Sequence, residues 1–148
     1  MSLNISMSNS YCLDKNLENK LIRAFEYLCS KEEIFNSSIN LRILNDNEMT
    51  KLNKKFRKKN KSTNVLSFTN EDISKSLTGN LGDIAVSYEF LEEESKQLNK
   101  NFDDHIIHML IHGVYHILGL DHENDASANK MENKEIELLK ELNIKNPY

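Results

Sequence analysis

No apolar run in this chain approaches the roughly 20 residues needed to cross a bilayer as a helix. The N-terminal MSLNISMSNS lacks a basic start followed by an apolar stretch, so it does not read as a secretory signal. Cysteine is scarce. Cys12 and Cys29 have neither CxxC nor His-paired spacing, so reduced, partly buried thiols are expected rather than a metal site. With no export signal, the expected location is the cytoplasm. Glycine and proline are scarce too, four and one, and neither a low-complexity tract nor an internal repeat is found. What remains is 148 residues of modest apolar content, enough for one domain, 1–148, with a hydrophobic core.

Acidic residues are in excess, giving a net charge of −4, which evenly spread would disfavour a polyanionic partner. The charge is uneven. Lys51 to Lys61, KLNKKFRKKNK, holds seven basic residues and no acid. Such a patch can bind phosphates on an acidic molecule, although the same segment also reads as a solvated helix face.

All five histidines fall in one stretch, HIIHMLIHGVYHILGLDH, from His105 to His122. His112 and His116 share one helix face about 6 Å apart along the axis, close enough to converge on one ion. Apolar residues fill most other positions (Ile106, Ile107, Met109, Leu110, Ile111, Val114, Tyr115, Ile117, Leu118), so the helix is expected to be buried on most sides. Gly119 ends it without a Cβ clash, and the chain turns back to bring His122 to the same ion. Three nitrogens with a fourth position open is the pattern of a catalytic zinc, whereas structural zinc sites usually have four protein ligands. His108 lies on the same face as His112 and His116, but it is about 12 Å from His116 along the axis, too far to share the ion. It is therefore expected beside the site, with His105 at the helix start. The spacing also matches the metzincin frame, except that Gly113 stands where those proteases carry their general base. That departure argues for hydrolysis of something other than a peptide.

Along the chain, a weak strand is expected near Leu3 to Met7, then a helix capped by Asp14 or Asn16 and running to about Ser30. Alternation from Ser38 to Leu44 reads as a half-buried strand. Asn45 to Asn47 turns the chain into a helix through Met49, Leu52 and Phe56 that loses its pattern near Lys59. Strands are expected over Ser62–Phe68 and Leu81–Ser87, joined by a polar loop from Thr69 to Asn80. Ser87 caps a helix whose stripe includes Phe90, Leu91 and Leu98, and Asp103 and Asp104 open the histidine helix. A last helix begins at Asp125 to Ser127. The fold class is α+β: a single mixed β-sheet of about four strands packed with helices, with a zincin-like histidine helix buried in the core.

Three segments, FRKKNKSTNVLSF (Phe56 to Phe68), LGDIAVS (Leu81 to Ser87) and HGVYHILGLDH (His112 to His122), together resemble the YbeY family of metal-dependent endoribonucleases of ribosomal RNA maturation. MENKE (Met131 to Glu135) and the NPY at 146–148 are also similar. The resemblance implies one Zn2+ on His112, His116 and His122, the triple that spacing selects, and a functional arginine at Arg57. It also implies action at a 16S-type 3′ end, a part in ribosome quality control, and ribosomal RNA with ribosome-associated proteins as partners, not a membrane. The chain departs from the family pattern at Asn60, Ser62, Thr69 and Leu120, none of them a ligand.

The chemistry agrees. Phosphodiester cleavage needs a nucleophile, neutralisation of the nonbridging oxygens and help for the leaving oxygen. A three-histidine zinc is a Lewis acid and lowers the pKa of water to about 7. Arg57 offers a planar, permanently charged fork that fits phosphate bidentately, and the flanking lysines hold a strand less specifically. With no base at 113, Asp121 beside His122 is a candidate for that role, but it is rather expected to orient an imidazole. Asp83 is expected to be structural. Two rivals stay open: a zinc peptidase, and a non-catalytic ribosomal RNA-binding module with a structural zinc.

Overall fold

A computed structural model describes residues 2–8, 11–71 and 79–148. The polar loop expected between Thr69 and Asn80 lies mostly outside these residues. The elements run β1 (Ser2–Met7), α1 (Lys15–Lys31), β2 (Ser38–Leu44), α2 (Asp46–Arg57), β3 (Val65–Thr69), β4 (Asn80–Ser87), α3 (Tyr88–Gln97), α4 (Phe102–Ile117) and α5 (Asp125–Glu141). The strands form one mixed sheet in the order β1-β2-β4-β3. β1, β2 and β4 are parallel, and β3 is an antiparallel edge. This is the α+β sheet expected.

Helix starts follow local chemistry. Asp14, Asn45, Ser87 and Asn101 each accept a hydrogen bond from a backbone N–H of the first turn they precede. Asn45 and Glu48 complete a reciprocal capping box. β3 begins at Val65, later than the pattern suggested, because its polar lead-in is tied up by side chains. The Ser62 hydroxyl donates to Asp46 at 2.8 Å, and Asn64 Oδ1 accepts from the Val65 N–H at 2.7 Å. Leu98 is a second correction. It is the C-cap of α3 and 52% exposed, and the buried stripe runs through Leu91 and Ser95 instead.

Strand periodicity divides the sheet into two faces. Ile39, Leu41, Ile43, Ile84 and Val86 join α1 and α4 in the main core. Leu44, Leu66 and Ala85 turn the other way onto Met49 of α2. Eleven of the sixteen residues of α4 are buried, so this helix is fixed by its packing. At about 25 cal/mol per Å2 of apolar surface, each fully buried aliphatic side chain there contributes about 1.5–3 kcal/mol. Gly113 lets α4 approach the sheet closely: a Cβ there would lie 3.0 Å from both Ile84 Cδ1 and Ser67 Oγ. Rigid packing of α4 thus presents His112 and His116 at a fixed height above β3.

Candidate metal centre

His112 and His116 bring their Nε2 atoms to 3.1 Å of each other. α4 then closes with a Schellman turn: the Gly119 N–H donates to His116 O and the Leu120 N–H to Tyr115 O. Gly119 has φ +99°, a conformation costly to any L side chain. The turn folds the Leu120 carbonyl back over His116, where it accepts from Nδ1 at 3.1 Å. The backbone carbonyl makes this contact, so it does not depend on the side chain at 120. Two residues on, exposed His122 lays its ring 5.6 Å from that of His112 and 4.9 Å from that of His116. One ring nitrogen from each of the three histidines falls within 4.8 Å of the others.

Glu135 of α5 orients His112. Its carboxylate is fully buried and lies 3.2 Å from His112 Nδ1 through both oxygens. Burial alone would raise its pKa, but hydrogen bonds from His108 and His112 outweigh burial and bring it down to about 2. An ionised carboxylate only accepts, so Nδ1 of His112 carries a hydrogen and Nε2 is the ring nitrogen turned toward His116. The Leu120 carbonyl imposes the same tautomer on His116. Burial, then the neighbouring His112 and His122, lower the His116 pKa and favour the neutral ring. The two Nε2 atoms face each other at 3.1 Å, close enough to share a proton or to hold one cation between them. Nitrogens bound tetrahedrally about 2 Å from one zinc ion would sit roughly 3.3 Å apart. The donor set therefore fits a divalent ion, and the carboxylate–histidine arrangement is the outer support such sites use.

The three histidines line a cavity of about 390 Å3 with Arg57, Thr63, Asn64, Val65, Ser67 and Thr69. Alternation along β3 explains this lining: Val65, Ser67 and Thr69 face α4, while Leu66 and Phe68 face α2. Arg57 ends α2 on the far side of that edge strand and enters the cavity from there. Lys58 follows in the left-handed conformation, φ 58°, and stops the helix. All seven basic residues between 51 and 61 are exposed, and among the described residues none forms an ion pair.

The other expectations divide. His108 is buried beside the site and donates from Nε2 to Glu135 at 2.7 Å. Its pKa is lowered, chiefly by burial. His105 is also buried and pairs with Glu94 at 2.6 Å. Asp83 accepts from Asn40 at 2.8 Å and serves the sheet. Asp121 is a correction. Its carboxylate accepts from the Glu123 N–H at 3.2 Å, and its low pKa reflects mainly Ser127, then Glu123. The carboxylate that orients an imidazole is Glu135, which periodicity could have flagged, since it is an acid on the buried stripe Met131, Leu138 and Leu139.

The family model Endoribonuclease YbeY matches residues 4–143. An endoribonuclease YbeY of Francisella philomiragia is 40% identical, over 99% of this chain and 96% of that relative. The endoribonuclease YbeY of Francisella tularensis subsp. novicida is 38% identical, over 99% and 93%. The solution structure of TM1509 from Thermotoga maritima superposes with a TM-score of 0.61 at 25% identity, covering 95% of this chain and 91% of that one. The chain belongs to the YbeY endoribonuclease family.

Proposed function

We propose that this YbeY-family chain is a zinc-dependent, single-strand-selective endoribonuclease that acts in the cytoplasm on ribosomal RNA precursors, at a 16S-type 3′ end and in ribosome quality control. The observation that carries the reading is the shared cavity: three convergent imidazoles line one recess with an arginine that has no ion-pair partner among the described residues. His112, His116 and His122 would hold the ion, which when bound supplies Lewis-acid chemistry at a phosphoryl oxygen or a water. Arg57 binds a nonbridging phosphate oxygen pair and neutralises charge that grows as the bond breaks. Lys51, Lys54, Lys55, Lys58, Lys59 and Lys61 extend that charge along α2 and the segment after it, so binding should weaken with salt. Glu135 and the Leu120 carbonyl hold two ligand rings in the tautomer that offers Nε2.

A zinc peptidase fits less well. Its base would stand at position 113, where a side chain must push Ile84 or Ser67 aside. The test is cleavage of a single-stranded ribosomal RNA fragment with and without added zinc, beside a peptide substrate. Zinc-dependent RNA cuts and an intact peptide support the proposal. RNA binding that is indifferent to zinc, with no cuts, would instead identify a binding module. A 2′,3′-cyclic phosphate on the product would assign the attack to the RNA 2′-hydroxyl; 3′-hydroxyl and 5′-phosphate ends would assign it to water.

A further inference from the structure

Tyr148 lies well outside the cavity and is 56% exposed, yet its hydroxyl is aimed inward at Glu135 Oε1, 3.0 Å away. The same oxygen accepts from His108 at 2.7 Å and from His112 at 3.2 Å, whereas among the described residues Oε2 has only His112. A glutamate carboxylate rotates easily about its last torsion, which has broad, two-fold wells. Donors gathered on one oxygen remove that freedom. They fix the plane that meets His112 Nδ1 symmetrically, and hence the direction of the His112 lone pair.

Two contacts aim the hydroxyl. Lys100 Nζ donates to the Pro147 carbonyl at 2.8 Å, and the Tyr148 N–H donates to Asn146 Oδ1 at 2.9 Å. The phenol ring also stands edge-on to His108, 5.4 Å between centroids at 89°. An exposed ring whose hydroxyl donates to a buried carboxylate is not explained by core packing.

We infer that Tyr148 is a positioning residue for the metal centre, acting through Glu135 on His112. The inference rests on the proposed metal role of the histidine triple and extends it to the tail after α5.

The test uses the full-length chain and four variants: Tyr148→Phe, Lys100→Met, Glu135→Gln and His116→Ala. Zinc affinity is measured by competition with a chromophoric chelator, and the visible spectrum is recorded on the Co2+-loaded proteins. Tyr148→Phe removes one oxygen from a mostly exposed side chain, so its metal-free melting temperature should stay near wild type. Its zinc affinity should fall about 3–10-fold, less than the 10–100-fold expected for Glu135→Gln, because His108 still holds the same oxygen. The Co2+ bands should shift in both, and Lys100→Met should reproduce part of the Tyr148→Phe effect. Wild-type affinity and bands in Tyr148→Phe would overturn the inference while leaving the triple intact. Wild-type protein that binds no zinc, or binding that survives His116→Ala, would overturn the metal reading and the inference with it.

Discussion

Arg57 is exposed, has no ion-pair partner among the described residues and shares a cavity with three imidazoles, all of which suits an anion supplied from outside. Arg57→Ala should lower RNA cleavage about 100–1,000-fold, the usual cost of losing one preorganised transition-state partner. Zinc content, measured on the same preparation, should not change. Arg57→Lys should recover only part of the loss, because lysine keeps the charge but not the planar fork. The histidine triple was legible in the sequence because all three ligands lie within eleven residues, where helix geometry and one glycine fix their relation. Glu135 is 23 residues from His112, and Tyr148 13 beyond Glu135. The buried stripe of α5 marks Glu135 as an unusual acid, but no local period links it or Tyr148 to His112, so their partners emerge only from the packing of α5 and its tail on α4.

The element that matters most is α4 with its Schellman end. The turn at Gly119 sets both the Leu120 carbonyl on His116 and the path to His122. Among the described residues nothing lies within 4 Å of a Cβ at 119, so Gly119→Ala isolates the backbone cost of φ +99°. That cost is about 1–2 kcal/mol. The expected outcome is a lower melting temperature together with weaker zinc binding; lost stability at full zinc affinity would detach the turn from the site. Helix starts were readable because caps are local: Asp14, Ser87 and the Asn45–Glu48 box all act within three residues. Strand order was not. Parallel β1-β2-β4 pairing depends on which strands bury opposite faces against α1, α4 and α2, and the alternation inside a strand does not name its neighbour. Position 98 misled for a related reason, since apolarity at a helix end does not imply burial.

Across the whole molecule, buried titratable groups tie stability to acidity. His108 and His116 are held below the ordinary 6.5, mainly by burial. Such a ring is neutral when folded and takes up a proton on unfolding, so its contribution is present above pH 6.5 and declines as the pH falls below it. Glu135, lowered from 4.5 to about 2, contributes above pH 4.5 and loses that contribution as pH falls toward 2. Both effects have the same sign. The metal-free protein should therefore lose melting temperature from pH 7 to pH 5 and again below pH 4.5, and His108→Asn should flatten the first decline. Zinc should raise the melting temperature near pH 7 and lose that effect in acid, because protons compete for the same ring nitrogens. A flat profile for the metal-free protein between pH 7 and 5 would contradict the buried neutral imidazoles.

The most direct single measurement is the rate at which a single-stranded ribosomal RNA fragment is cut by chelator-stripped protein as zinc is titrated back. Activity should return in step with occupancy and saturate at one ion per chain, with His116→Ala inactive throughout. Cleavage that persists in the stripped protein, or in His116→Ala, would contradict the proposed metal centre.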